Sequence, residues 1–301
     1  MNDRPASAVP LRALIARASV EVTPRDPAIV ETLTREFDPG SDVHVTFLPD
    51  DVLVRVEETC ATVRRAGFNP IPHLTARNFA SRDVFADHLA RLSGEAQVTR
   101  ALVISGDVDK PRGEFSSSIE LMRTGLLQKH GIESILIAGH PEGHPVVPQQ
   151  AMEDALAEKI AFAAREGLRA EIVTQFVFEA EPVLDWLQRL RSIGIKAPVR
   201  IGVAGPASTA SLIKFALRCG IGNSMRALRK QGSAIGKLMG DTKPDELLRD
   251  ISRGAQERNL GPLAGIHLYM FGGAAKTGRW LTSFREEVAA PVAQEEWRAQ
   301  G

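Results

Sequence analysis

The 301-residue chain has very little cysteine: Cys60 and Cys219, with no C-x-x-C spacing and neither inside a polar cluster. They read as free thiols of a reducing compartment. A surplus of charge is also missing, because 37 Lys and Arg balance 37 Asp and Glu. Zero net charge argues against a general nucleic-acid or polyanion binder. No apolar run approaches the roughly 18 residues of a membrane span. Residues 1 to 17 scatter Arg4, Arg12 and Arg17 among short apolar groups, without the h-region of a secretory signal. The expectation is a cytoplasmic protein that partners neither membrane nor nucleic acid. No G-x-G-x-x-G, no helical H-E-x-x-H, no low-complexity tract and no repeat beyond a strand-helix alternation is present.

What is there is that alternation. Ala101 to Asp107, A-L-V-I-S-G-D, is a short apolar run that stops at a glycine and a carboxylate, the mark of a strand buried on both faces that opens into a loop. The pattern recurs: Ala18 to Val20 ends in Glu21, Val43 to Val45 in Thr46, and Pro70 to Pro72 in His73. Ser134 to Ala138 ends in Gly139-His140, Glu171 to Thr174 in Gln175, Val199 to Val203 in Ala204-Gly205, and Gly265 to Met270 in Phe271-Gly272-Gly273. About eight such runs, each followed by a segment of helical period, predict an α/β fold, a (β/α)₈ TIM barrel in a single domain over residues 1–301. The long interval between the seventh and eighth runs predicts extra helices there, including a pair over Met225 to Gly240 and another over Pro244 to Arg258. At 44% hydrophobic residues, the chain can fill one such core.

In a barrel the loops after the strands line one mouth, so the polar run ends converge there. Glu21 suits a general acid if burial raises its pKa, or a rim glutamate bonded to a neighbour. Asp107, after Ser105-Gly106, is either a ligand contact or a turn residue. His73 either meets a cofactor or caps a strand. Gln175 offers a donor and an acceptor, which suits the edge of a heterocycle. Phe215 reads first as core packing. The loop Val108 to Gly113 is either a mobile cover or a plain connector. Gly139 to Pro145 holds two histidines and a glutamate, but its prolines and Gly143 deny one helical face, so no metal is expected.

Six segments together resemble, in order and spacing, the methylenetetrahydrofolate reductase family: Val20 to Arg25, Pro72 to Thr75, Ser105-Gly106-Asp107, His140 to Pro145, Val173 to Phe178, and Gly202 to Phe215. The resemblance covers about Ser19 to Tyr269. It implies a barrel enzyme of one-carbon metabolism and methionine biosynthesis, an oxidoreductase acting on a CH-NH group. FAD, reduced by NADH or NADPH, would pass hydride to 5,10-methylenetetrahydrofolate to give 5-methyltetrahydrofolate. It further implies Glu21 as the acid that protonates N10 and Asp107 as the carboxylate that stabilises the cationic iminium. Gln175, Ser211 and Phe215 would join them as substrate contacts. Thr46, His73, Ser105, Gly106, Asp107, Ser118, His140, His144 and Lys159 fall at cofactor positions.

The chain departs from the family pattern where an arginine is usual at Ser105, a tyrosine at His140, Tyr-Ala at Ser117-Ser118, and a lysine-rich stretch at Ile160 to Ala164. The Asn-Arg expected after the last strand is Gly272-Gly273. Three alternatives therefore stand beside the flavoprotein: direct reduction by NAD(P)H without flavin, a homologue oxidising 5-methyltetrahydrofolate in one-carbon catabolism, and a folate- or flavin-binding protein without turnover. A homo-oligomer is left open.

Overall fold

The computed structural model describes residues 11–26, 28–144, 146–218 and 241–290. Eight parallel strands close into a barrel: β1 (Ser19–Val22), β2 (Asp42–Val45), β3 (Asn69–Thr75), β4 (Arg100–Ile104), β5 (Ser134–Gly139), β6 (Arg169–Val177), β7 (Val199–Ala204) and β10 (Leu263–Tyr269), with β10 pairing β1. The expected (β/α)₈ barrel is therefore the fold. β8 (Ala207–Ser208) and β9 (Asp241–Thr242) form a small antiparallel ribbon outside it.

Helices α1 (Leu11–Ala16), α2 (Ile29–Glu36), α3 (Leu53–Arg65), α4 (Arg82–Ala96), α5 (Ser118–Arg123), α6 (Leu126–Lys129), α7 (Gln149–Arg165), α8 (Ala180–Ser192), α9 (Thr209–Arg218), α10 (Asp245–Glu257) and α11 (Ala274–Ala289) accompany the strands. Their apolar faces and the outward strand residues make one continuous core, and a second cluster of Ile71, Leu102, Leu136 and Val173 fills the barrel interior. α9 and α10 lie between β7 and β10, where extra helices were expected; the expected pair over 225–240 lies outside the described residues.

Several boundaries differ from the sequence expectation, each for a local reason. Glu21, His73 and Gln175 lie inside strands rather than after them, because a barrel strand carries polar residues on its inward face near the mouth. The helical segment after the β4 loop is broken into α5 and α6 by Gly125 at φ +71°. Val52 precedes α3 without a side-chain cap, although Asp50 and Asp51 lie next to it. Asp51 instead accepts from the Leu48 amide at 2.8 Å and from Arg25 Nε at 2.7 Å. Ser81 does cap α4, accepting from the Val84 amide at 3.2 Å.

Two devices set up the mouth. At the N-terminal end of the barrel, Arg100 binds Asp42 at 2.6 Å and Arg200 binds Glu171 at 2.6 Å, with longer pairs at 3.7 and 3.8 Å closing a ring of alternating charge. Its members come from β2, β4, β6 and β7, so the ring crosses the interior and floors it. On β6, Val173 pairs with Arg200 but Phe176 with Gly202, so β6 takes three steps where β7 takes two. This bulge is fixed by Thr174, whose Oγ1 accepts from the Gly202 amide at 2.8 Å and whose carbonyl accepts from the Tyr269 hydroxyl at 3.1 Å. A Cβ at position 202 would stand 2.3 Å from the Thr174 carbonyl oxygen, which is why glycine is there.

Candidate active site

Four strands, β1, β2, β3 and β10, bring the acid and its neighbours together. Glu21 on β1, with 23% of its side chain exposed, places Oε2 3.6 Å from Nε2 of His267 on β10. His267 is buried, and its Nδ1 lies 2.9 Å from the Ser19 hydroxyl. At 3.6 Å the Glu21 contact is longer than a hydrogen bond, so the hydrogen-bonded partner of the His267 ring here is Ser19, and the carboxyl lies beside the other ring nitrogen. His44 on β2 packs its ring 4.3 Å from that of His267, and its Nδ1 lies 3.3 Å from His73 Nε2. Burial, together with His267, holds His44 well below the ordinary histidine range. Burial also lowers His73 to about 4, against the opposing pull of the Glu21 charge. Among the described residues no group of three His, Cys, Asp or Glu is disposed to hold a metal ion.

Asp107 sits at the same end of the barrel, in the loop after β4, with its side chain exposed. The loop is pinned rather than free. The Ser105 carbonyl accepts from the Arg77 amide at 2.9 Å, Arg77 Nε donates to the Ser116 carbonyl at 2.9 Å and Nη1 to the Val108 carbonyl at 3.3 Å. Arg112 reaches the Pro49 carbonyl from the same loop, so Val108 to Gly113 is a tethered connector. Gly106, at φ +95°, lies against Thr75, with 3.2 Å separating a hypothetical Cβ from the threonine Cβ. Ser105 Oγ accepts from the Ser118 amide at 3.3 Å, so these two expected cofactor contacts are already joined.

The opposite rim is aromatic. Phe215 on α9 stacks on Phe271 at 4.0 Å and 13°, and Phe176 meets Phe178, Tyr269 and Phe271 edge-on at 4.9–5.5 Å. Gln175 is half-buried beside them, its Oε1 accepting from the Phe176 amide at 3.0 Å, so its NH₂ is the group left to offer. The Ser208 hydroxyl accepts from the Ser211 amide at 3.2 Å and donates to the Ser211 hydroxyl at 3.0 Å, which leaves the Ser211 O–H as a donor. A cleft of about 930 Å³ adjoins this wall between α8 and α10, lined by Phe178, Leu212, Lys243 and Arg253 among others.

The sequence reading missed Ser19, His44, His267, Tyr269 and Phe271. Four of the five had a signal: His267 and Tyr269 alternate along one strand as inward residues do, Phe271 follows two positions on, and His44 sits alone between two valines.

The residues at the flavin positions fit FAD poorly. A diphosphate needs fixed positive charge, and the β5–α7 side supplies Lys159 alone. Burial lowers that ammonium, while burial, His144 and Lys159 together lower His140 to about 4, so this ring is neutral. His144 lies edge-on to His140 at 5.8 Å and accepts from the Val146 amide at 3.3 Å. On the other side the hydroxyls of Thr46 and Thr75 and the Asn78 carbonyl are buried without partners, which suits a heterocycle edge better than a phosphate.

The fold and site define an α/β barrel whose mouth brings a carboxyl, a histidine layer and an aromatic wall to one end of the strands. The family model for methylenetetrahydrofolate reductase matches residues 22–223, and the chain belongs to that family. Among solved structures, an uncharacterised Clostridium thermocellum protein that binds two copies of 5-methyl-5,6,7,8-tetrahydrofolic acid is similar over 92% of this chain and 97% of its own. Its TM-score is 0.56 at 12% identity. The 3-dehydroquinate dehydratase of Aquifex aeolicus VF5 aligns over 91% of this chain and 99% of its own, with a TM-score of 0.47 and 11% identity.

Proposed function

We propose that the chain reduces 5,10-methylenetetrahydrofolate to 5-methyltetrahydrofolate with NADH or NADPH, hydride passing from the nicotinamide to the folate directly. The observation that carries this reading is Glu21, half-buried at the mouth beside a histidine that Ser19 hydrogen-bonds. Family membership supports the folate, and a barrel of similar fold binds 5-methyltetrahydrofolate.

In this mechanism Glu21 gives a proton to N10, the N10–methylene bond breaks, and its electron pair stays on N10. The methylene remains on N5 as a cationic iminium. Asp107, at the same mouth, stabilises that charge. Hydride adds to the methylene carbon, so one hydride and one proton complete the methyl product. The Gln175 amide reads the ring edge, and Phe215 on Phe271 offers a face for the aminobenzoyl group or the nicotinamide. The cleft beside the wall takes what extends beyond the rings. A reducing cytoplasm is the setting, in keeping with Cys60 as a buried free thiol.

The second reading interposes FAD between nicotinamide and folate. It is favoured by the partnerless Thr46, Thr75 and Asn78 atoms on the β2–β3 side. The visible spectrum of the purified protein separates the two, since a bound flavin colours the protein yellow. Glu21→Gln tests both: the folate reductase rate falls by about 10²-fold or more if Glu21 is the acid. An unchanged rate removes it from the chemistry, and no rate in the native protein leaves a folate binder.

A further inference from the structure

His44 has no part in the proposed reduction, yet it lies at the centre of the histidine layer. It is fully buried, touches His73 through Nδ1 and His267 through its ring face, and its Nε2 has no hydrogen-bond partner. Both His44 and His73 are neutral near pH 7, so each carries one ring proton, and where it sits matters more than charge.

The 3.3 Å contact needs one donor and one acceptor, which leaves two arrangements. In one, His73 donates from Nε2 to His44 Nδ1; the His44 proton then sits on Nε2, a buried N–H with no acceptor. In the other, His44 donates from Nδ1 to His73 Nε2, and only a lone pair is left unpaired on His44. Buried N–H groups without acceptors are the rarer and costlier defect, so the second arrangement wins. His73 then has its proton on Nδ1. The His267 ring, tilted 51° against His44, hinders rotation out of this register.

We propose that His44 is a positioning residue that fixes His73 as an Nδ1–H donor, so that His73 recognises a carbonyl oxygen of the heterocycle bound in the mouth. The oxygen belongs to the pterin ring or to the nicotinamide carboxamide. Only that choice rests on the proposed function; the tautomers are properties of the protein alone.

Side-chain ¹⁵N NMR of the ligand-free protein at pH 7 reads them, with signals assigned through His44→Asn and His73→Asn. The expected result is a protonated Nδ1 and bare Nε2 on both rings. A proton on His73 Nε2 overturns the proposal. In His44→Leu the donor is gone, and His73 should lose its single tautomer while KM for one ligand rises about 3- to 10-fold with little change in kcat, the scale of one neutral hydrogen bond. A rise for the folate identifies the pterin, and a rise for NAD(P)H the carboxamide. His44→Asn, whose amide nitrogen stands where Nδ1 stood, should restore both tautomer and KM. An unchanged His73 tautomer in His44→Leu, or equal losses in the leucine and asparagine variants, overturns the positioning role. Should His44→Leu fail to fold, the native spectrum decides. A protein with these tautomers but no folate reduction would sink the proposed function and the ligand assigned to His73, and leave the positioning of His73 by His44 standing.

Discussion

His267 reaches Glu21 from one ring nitrogen, 3.6 Å away, and Ser19 from the other, 2.9 Å away. Two residues apart on β1, Ser19 and Glu21 thus address the same imidazole, and the hydroxyl sets which nitrogen faces the acid. Ser19→Ala should lower kcat about 10-fold or more with KM for the folate nearly constant, because orientation of the acid is lost and binding is not. Steady-state kinetics at saturating NADH and NADPH check this; a loss confined to KM would contradict it.

The aromatic wall should act on binding. Phe271→Ala removes the ring on which Phe215 stacks at 4.0 Å. An aromatic pair is worth about 0.5–1.5 kcal/mol beyond area burial, so KM should rise about 3- to 10-fold, as measured for folate and nicotinamide separately.

Stability should respond to acid with a definite sign. His73 and His140 titrate near 4 in the folded chain against 6.5 ordinarily, so between these values the unfolded state binds more protons. The contribution of each is complete above pH 6.5 and is lost as the pH falls toward 4, by up to about 1.4 kcal/mol per pH unit for each ring. Urea unfolding at pH 4, 5, 6 and 7 measures the slope, and His73→Asn should flatten it.

The barrel floor should be intolerant of an odd charge. Arg200 has 6% of its side chain exposed and holds Glu171, with Asp42 farther off. Arg200→Met leaves those carboxylates short of a cation and should cost about 3–5 kcal/mol in denaturant unfolding. Lys276→Met, which breaks an exposed pair with Asp241, should cost less than about 1 kcal/mol.

The fold was legible because eight apolar runs with polar ends permit few architectures, and Glu21, Asp107 and Gln175 do fall at one end of the barrel. Composition and spacing could not show that β6 carries an extra residue at Thr174, since a bulge depends on what Gly202 and Tyr269 do on other strands. Nor could they pair His44 with His73, 29 positions apart. Side-chain partners across a closed barrel are set by register, and register is written in the closure rather than in any one segment. The Ser208–Ser211 pair is set in the same way, since it forms only where α9 turns back from the end of β7.

Deuterium transfer tests the central claim most directly. With NADH or NADPH deuterated at both C4 positions and 5,10-methylenetetrahydrofolate as acceptor, the account predicts 5-methyltetrahydrofolate with one deuterium retained in its methyl group, formed by the native protein and nearly abolished in Glu21→Gln. No 5-methyltetrahydrofolate with either nucleotide, or a methyl group from which the label has washed out into water, would contradict it.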